Sequence, residues 1–123
     1  MYDKLLALEL LQRIEKSLKE MIDWTVNIKS VNDFLFSADG MILLNAVCMK
    51  LFVVGEVIKT LDKFTNKALL PKYQSIQWKD IMGMRDVIAH HYFDLEADKI
   101  FDTLRDEVPE LLNVILKMKH DLI

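Results

Sequence analysis

Residues 40–61 are GMILLNAVCMKLFVVGEVIKTL, a run in which apolar side chains recur at alternating intervals of three and four. This period predicts an α-helix with an apolar stripe. Four further apolar residues widen the stripe: Leu43, Phe52, Val53 and Val57. A helix that is apolar on more than one face needs two partners. We therefore expect the central helix of a bundle, or one that also forms a dimer interface.

The same run is long enough to raise the question of a membrane span. Asn45, Lys50 and Glu56 interrupt it, and a charged residue at the bilayer centre costs roughly 2.5 to 3.5 kcal/mol on insertion scales. The sequence therefore predicts a buried bundle helix and no membrane partner.

Two other long helices show the same spacing. One is predicted from Asp3 to Ile28, and the other from Asp94, a candidate N-cap, to the C-terminus, with a break at Pro109. Their seams are Ala7, Leu11, Ile14, Leu18, Met21, Thr25 and Ile28, and Ala97, Phe101, Leu104, Val108, Leu111, Ile115, Met118 and Leu122.

The remaining segments are shorter. Residues 30–36 predict a connecting helix capped by Ser30, with Asp33 as the acid of a capping box. Residues 65–75 lack periodicity and predict a loop, and a third helix is expected over residues 74–93.

Composition limits the fold class. The chain has 123 residues, with 3 Gly and 2 Pro, which leaves little turn chemistry for hairpins. We expect a single all-α domain over residues 1–123, made of a few long helices joined by short connections. The net charge of -3 excludes a polyanion-binding surface over the whole molecule. The single cysteine, Cys48, lies in an apolar run, and the first residues do not follow the pattern of a signal peptide. These features predict a buried thiol and a cytoplasmic protein.

The candidate chemistry lies in residues 85–92, which are RDVIAHHY. Arg85 must be paired or open to solvent, because burying an unpaired charge is costly, and Glu56 is its expected partner. His90 and His91 diverge by about 100° on a helix. No metal site is therefore expected.

This segment resembles the R-x4-H-x-Y signature of HepT-type toxins in the HEPN superfamily. Other residues similar to that family are Gly55-Glu56, Trp78 with Ile81, Gly83-Met84, and the segment 106–111. Asp86 stands where the family usually has asparagine.

The resemblance implies a HEPN-like homodimer of up-down bundles of four to five helices, and a metal-independent endoribonuclease without a cofactor. Arg85 and His90 would be catalytic, Asp86 would orient one of them, and Glu56 and His91 would be supporting residues. It further implies a toxin–antitoxin pair, in which an MNT-type nucleotidyltransferase antitoxin AMPylates Tyr92.

Charge is distributed unevenly around this motif. Residues 59–85 are mainly basic and are a candidate RNA track, whereas residues 86–110 are mainly acidic and are suited to orienting RNA or docking a basic partner. Two alternatives remain open at this stage. One is a non-catalytic accessory or nucleotide-binding subunit of a minimal nucleotidyltransferase, and the other is a dimerisation module with an inert motif.

Overall fold

The computed structural model describes residues 2–90, except the side chain of His90, and residues 96–123. Within these ranges the regular structure is entirely helical, which confirms the predicted class. The α-helices are α1 (Lys4–Trp24), α2 (Asn32–Leu35), α3 (Ala38–Phe64), α4 (Trp78–His90), α5 (Ala97–Asp102) and α6 (Val108–Leu122). A 3-10 turn covers Leu70–Lys72, and a π-helical turn, Thr103–Glu107, joins α5 to α6.

Helix α1 begins as the sequence predicts but ends earlier. The Asp3 carboxylate accepts hydrogen bonds from the backbone N–H groups of Leu5 and Leu6 and so caps the first turn. At the other end the Thr25 hydroxyl donates to the carbonyl of Met21. The helix therefore stops at Trp24 rather than at Ile28, because the hydroxyl of Thr25 bonds to the last turn.

The link between α1 and α3 differs from the predicted helix over residues 30–36. Helix α2 is a single turn whose N-cap position is Val31, not Ser30. Asp33 nonetheless accepts hydrogen bonds from the backbone N–H groups of Lys29 and Ser30. The acid of the capping box is thus confirmed. Helix α3 then starts at its own cap, where the Ser37 hydroxyl accepts from the N–H of Gly40.

Helix α1 packs between α3 and α6. It runs antiparallel to α3, because the ring of Tyr2 meets Phe64 at one end while Glu20 binds Lys50 at the other. The shared core consists of Ala7, Leu11, Ile14, Leu18, Met21, Val47, Cys48, Leu51, Val54, Ile58, Leu61, Val108, Leu111, Ile115 and Met118. Burial raises the pKa of the Cys48 thiol to about 11. The predicted seams are confirmed as core from Ala7 to Met21 and from Val108 to Met118. The remaining seam residues are only partly buried, and in α5 the buried residue is Ile100 rather than Phe101.

Helix α3 is also long and apolar enough to cross a membrane, judged by length and composition, and a core helix passes the same test. A third of its most apolar stretch is buried against the other helices.

Helix α4 starts four residues later than predicted, at Trp78. Tertiary contacts of the preceding residues explain the later start. The Trp78 Nε1 donates to the carbonyl of Tyr73, and Ile76 is buried, so the preceding residues are held by packing rather than by a helical ladder. Asp94, predicted as an N-cap, and residues 91–93 lie outside the described residues.

The C-terminal helix is interrupted close to the predicted position. Pro109 occupies the first turn of α6, and the π-helical turn precedes it. Proline has no N–H to offer the carbonyl four residues before it, and a π turn accommodates such a break.

Candidate functional site

Helices α3 and α4 approach each other at Gly55. A β-carbon at this position would lie 3.1 Å from the carbonyl oxygen of Ile81 and 3.4 Å from the Cβ of Arg85. The absence of a side chain at Gly55 therefore allows the backbone of α4 to pack against α3 at this turn. This packing places Arg85 beside Glu56, the next residue of α3.

Arg85 is anchored across this helix pair by its ion pair with Glu56. Its Nε lies 2.5 Å from the Glu56 Oε1, and the two side chains are 38% and 40% exposed. The Nε atom is buried and its N–H is not aligned with an acceptor, so Glu56 acts on it mainly through charge. The expected pairing of Arg85 with Glu56 is confirmed.

A second carboxylate holds the same guanidinium. Arg85 Nη1 donates to the Asp86 Oδ1 at 2.8 Å. This hydrogen bond, together with the charge of Glu56, raises the pKa of Arg85 above its ordinary value. The cation is thus fixed in its charged form, and Asp86 is one of the groups that orient it.

Phe52 contacts the guanidinium from α3. The Arg85 Cζ lies 5.7 Å from the centroid of its ring, within the range of a cation–π interaction. In the sequence Phe52 is only one of the apolar residues that widen the stripe of α3. Phe52 precedes Glu56 by four residues, about one helical turn. This spacing predicts that the two side chains lie on the same side of α3.

The structure describes only part of the remaining predicted site residues. His90 is the last residue of α4, five positions after Arg85, and its side chain lies outside the described residues. His91 and Tyr92 lie outside them as well. The structure therefore brings together Arg85, Asp86 and Glu56 from the predicted set.

The predicted basic track is exposed. Its lysines are all on the surface, and none forms an ion pair within the described chain: Lys59, Lys63, Lys67, Lys72 and Lys79. Two of them continue along α3 from Glu56, and Lys79 lies in the first turn of α4.

The family model for HepT-like ribonucleases matches residues 8–118, a range that includes Arg85 and the two carboxylates that contact it, Glu56 and Asp86. The chain belongs to the HepT-like ribonuclease family. Over residues 2–90 and 96–123, apart from the His90 side chain, no three His, Cys, Asp or Glu residues are grouped to hold a metal ion.

Relatives of this HepT-like chain carry RNase in their names. A Methanocaldococcus jannaschii protein of that kind is 31% identical over 110 residues, which are 89% of this chain and 84% of the relative. Another, from Caldanaerobacter subterraneus subsp. tengcongensis, is 36% identical over 70 residues, 57% of this chain and 59% of the relative.

A third relative, also from M. jannaschii, is named for gamma-glutamylcyclotransferase as well as RNase. It is 29% identical over 103 residues, 84% of this HepT-like chain, which spans only 43% of that protein. The chain thus covers about half the length of two of these relatives. No solved structure matches it significantly.

Proposed function

We propose that this HepT-like chain is a metal-independent endoribonuclease, the toxin of a toxin–antitoxin pair. The observation that carries the proposal is the pair of carboxylates that contact Arg85. A guanidinium held by Glu56 and Asp86 lies five residues before a histidine, in a chain of a ribonuclease family.

The chemistry uses groups of the RNA itself. The 2'-oxygen attacks the adjacent phosphorus while the bond from phosphorus to the 5'-oxygen breaks. One proton leaves the 2'-hydroxyl and one reaches the 5'-oxygen, and His90, with a reference pKa near 6.5, is the residue proposed to transfer them. Arg85 stabilises the charge on the phosphate through the N–H groups that Glu56 and Asp86 do not contact.

An exposed apolar stripe on α3 supports a homodimer. Ile42 is 67% exposed, Met49 62% and Val53 38%, and these residues follow one side of the helix up to Glu56 at intervals of seven, four and three. Exposed apolar patches of this kind mark interaction surfaces. A second chain seated on the stripe would bring its own Arg85 and His90 towards the first.

The exposed lysines support the approach of RNA. They face solvent without partners from the described chain and lead towards Arg85 from the start of α4 and the end of α3. Each contact with a phosphate releases counterions, so this binding would weaken as salt rises.

The proposed antitoxin is an MNT-type nucleotidyltransferase that AMPylates Tyr92. An added AMP carries a negative charge and a bulky nucleoside. At a position seven residues from Arg85, it would oppose RNA by charge and by size. The pair would act in the cytoplasm.

The test compares RNA cleavage by wild type, Arg85→Ala and His90→Ala. Each substitution should lower the rate by about two to four orders of magnitude, the range for loss of general acid–base catalysis. EDTA should leave the wild type unchanged. Full activity in His90→Ala, or strict dependence on added divalent metal, would contradict the mechanism.

The alternative function is a non-catalytic accessory or nucleotide-binding subunit of a nucleotidyltransferase. One observation favours it: two carboxylates already contact the single guanidinium, which leaves the cluster with a negative local charge. In that case neither alanine variant would change RNA integrity or growth, although the chain would still bind its partner.

A further inference from the structure

A groove of about 660 Å³ lies between α4 and α5. Ile81, Met84 and Val87 of α4 form one wall, and α5, the π-helical turn and the start of α6 form the other. On an ideal helix Met84 and Val87 are about 100° and 160° away from Arg85, whereas Ile81 is only about 40° away. Arg85, Asp86 and Glu56 are not among the residues that line the groove. The groove is therefore separate from the proposed RNA site.

The groove combines an apolar floor with an acidic rim. Its floor includes Leu51, Val54, Ile76, Ile100 and Leu111, whereas its charged lining residues are Asp80, Glu96, Asp102, Glu107, Glu110 and Lys99. Lys99 is paired with Glu96 at 3.7 Å. Of the five carboxylates, Glu96 is paired with Lys99 and Asp102 with Arg105 at 3.1 Å, and the lining residues together carry a net negative charge.

The acidic residues that line the groove favour an occupant with positive charge. A nucleic acid would be repelled, because its phosphates would meet carboxylates. A protein segment with apolar side chains on one side and lysines or arginines beside them would match both floor and rim. A volume of this size accommodates several side chains.

The position of the groove along the chain is compatible with a partner that acts on Tyr92. Val87 and Glu96, both lining residues, are five residues before and four residues after Tyr92. A segment of five residues spans at most about 18 Å even when it is fully extended. An enzyme docked on the groove is therefore within reach of this tyrosine.

We infer that the acidic groove between α4 and α5 docks a basic, amphipathic segment of the nucleotidyltransferase that modifies Tyr92. This inference rests on the proposed function, since it assigns the docking site of the proposed antitoxin. It adds a surface that acts through charge and apolar contact, apart from Arg85 and His90.

The experiment measures the association rate of the proposed nucleotidyltransferase antitoxin by surface plasmon resonance at low and high salt. The groove variant is Glu96→Gln with Glu107→Gln and Glu110→Gln. The matched control removes three exposed acidic charges elsewhere: Glu9→Gln, Asp23→Asn and Asp39→Asn. We expect the groove variant to associate at least tenfold more slowly and with weaker salt dependence, and the control to stay within twofold of wild type.

A second variant tests the apolar wall. Val87 is 49% exposed, so Val87→Ser should fold normally and should speed dissociation of the partner rather than slow its association. RNA cleavage should be unchanged in the groove variant and in Val87→Ser.

The outcomes separate this inference from the proposed function. Equal association of the groove and control variants would overturn the docking site alone. A groove variant whose molar mass in solution changes would overturn it too, because the face would then join two copies of this chain. A wild type that binds no nucleotidyltransferase would overturn the proposed antitoxin, and with it this docking site.

Discussion

The Nε of Arg85 on α4 lies 2.5 Å from the Oε1 of Glu56 on α3. This ion pair joins the two helices beside the position where Gly55 permits their close packing. Glu56 is therefore a positioning residue for the proposed phosphate-binding group, and it acts through Arg85.

Replacing Glu56 tests that role. Glu56→Ala should lower kcat for RNA cleavage by roughly 10- to 100-fold, because a guanidinium without its anchor is displaced from the reacting phosphate. Glu56→Gln keeps the length of the side chain and should retain more activity than Glu56→Ala. The control is Glu20→Gln, which removes a charge from another ion pair of α3, that with Lys50. Activity should be close to wild type in the control, and equal losses in Glu20→Gln and Glu56→Ala would refute a specific role.

Periodicity alone predicted the interior of the long helices, because their apolar residues face a core made by several neighbours. Leu11, Met21 and Ile115 are all fully buried at predicted seam positions. The pairing of Arg85 with Glu56 was predictable for a similar reason, since a half-buried cation needs a nearby anion.

The helix ends and the groove were not predictable from such local patterns. The start of α4 depends on the hydrogen bond from Trp78 to Tyr73, which exists only once the loop is folded. The groove depends on how α4 and α5 are placed over Leu51 and Val54. The sequence showed its excess of acidic residues but not the apolar floor between them.

The two glycines near the motif predict opposite effects of alanine. At Gly83 a β-carbon would meet nothing within 4 Å in the described part of the chain. Gly83→Ala should therefore raise the free energy of unfolding by about 0.5 to 1 kcal/mol, through reduced entropy of the unfolded chain.

Gly55→Ala should instead lower stability. Its β-carbon would approach the Ile81 carbonyl at 3.1 Å, so α4 must move away and carry Arg85 with it. Urea unfolding and RNA cleavage measured on both variants check the pair. A Gly55→Ala protein as stable and as active as wild type would show that the close packing has no role.

The exposed stripe on α3 predicts the effect of a charge at Met49. Met49→Glu should convert a dimer to a monomer and abolish cleavage, because burying an unpaired carboxylate in an interface is costly. Leu5→Glu is the matched control, since Leu5 is 77% exposed on α1. Light scattering reports the mass of each variant. A wild type that is monomeric at tens of micromolar would remove the composite site.

Modification by the proposed antitoxin should be confined to Tyr92. Incubation with the nucleotidyltransferase and ATP should add adenylate to the wild type but not to Tyr92→Phe, as mass spectrometry would show. Tyr73 is a poor alternative nucleophile, because burial and its hydrogen bond to Asp121 raise its pKa to about 12. Adenylate mapped to Tyr73 or Tyr2 would refute the assignment.

The stability of the bundle should depend on pH through Glu15. This side chain on α1 accepts hydrogen bonds from Lys119 of α6 and from Lys19, both at 2.6 Å. The bond from Lys119, followed by that from Lys19, lowers the pKa of Glu15 below its ordinary value of 4.5. Because the folded-state pKa is the lower one, the stabilisation is fully present above about pH 4.5 and is lost as pH falls through the folded-state pKa.

Glu15→Gln should therefore reduce the free energy of unfolding at pH 7 by about 1.5 to 3 kcal/mol, the range for hydrogen bonds to a charged group. The difference from wild type should shrink towards zero in acid, where the wild-type carboxylate is protonated. Glu9→Gln is the control, because its pair with Arg13 is exposed on both sides and long, at 3.5 Å, and such pairs contribute about 1 kcal/mol or less. Urea unfolding at pH 7 and pH 3 measures both variants. If Glu15→Gln is equally destabilised at the two pH values, the ion pair between α1 and α6 is not the source of the effect.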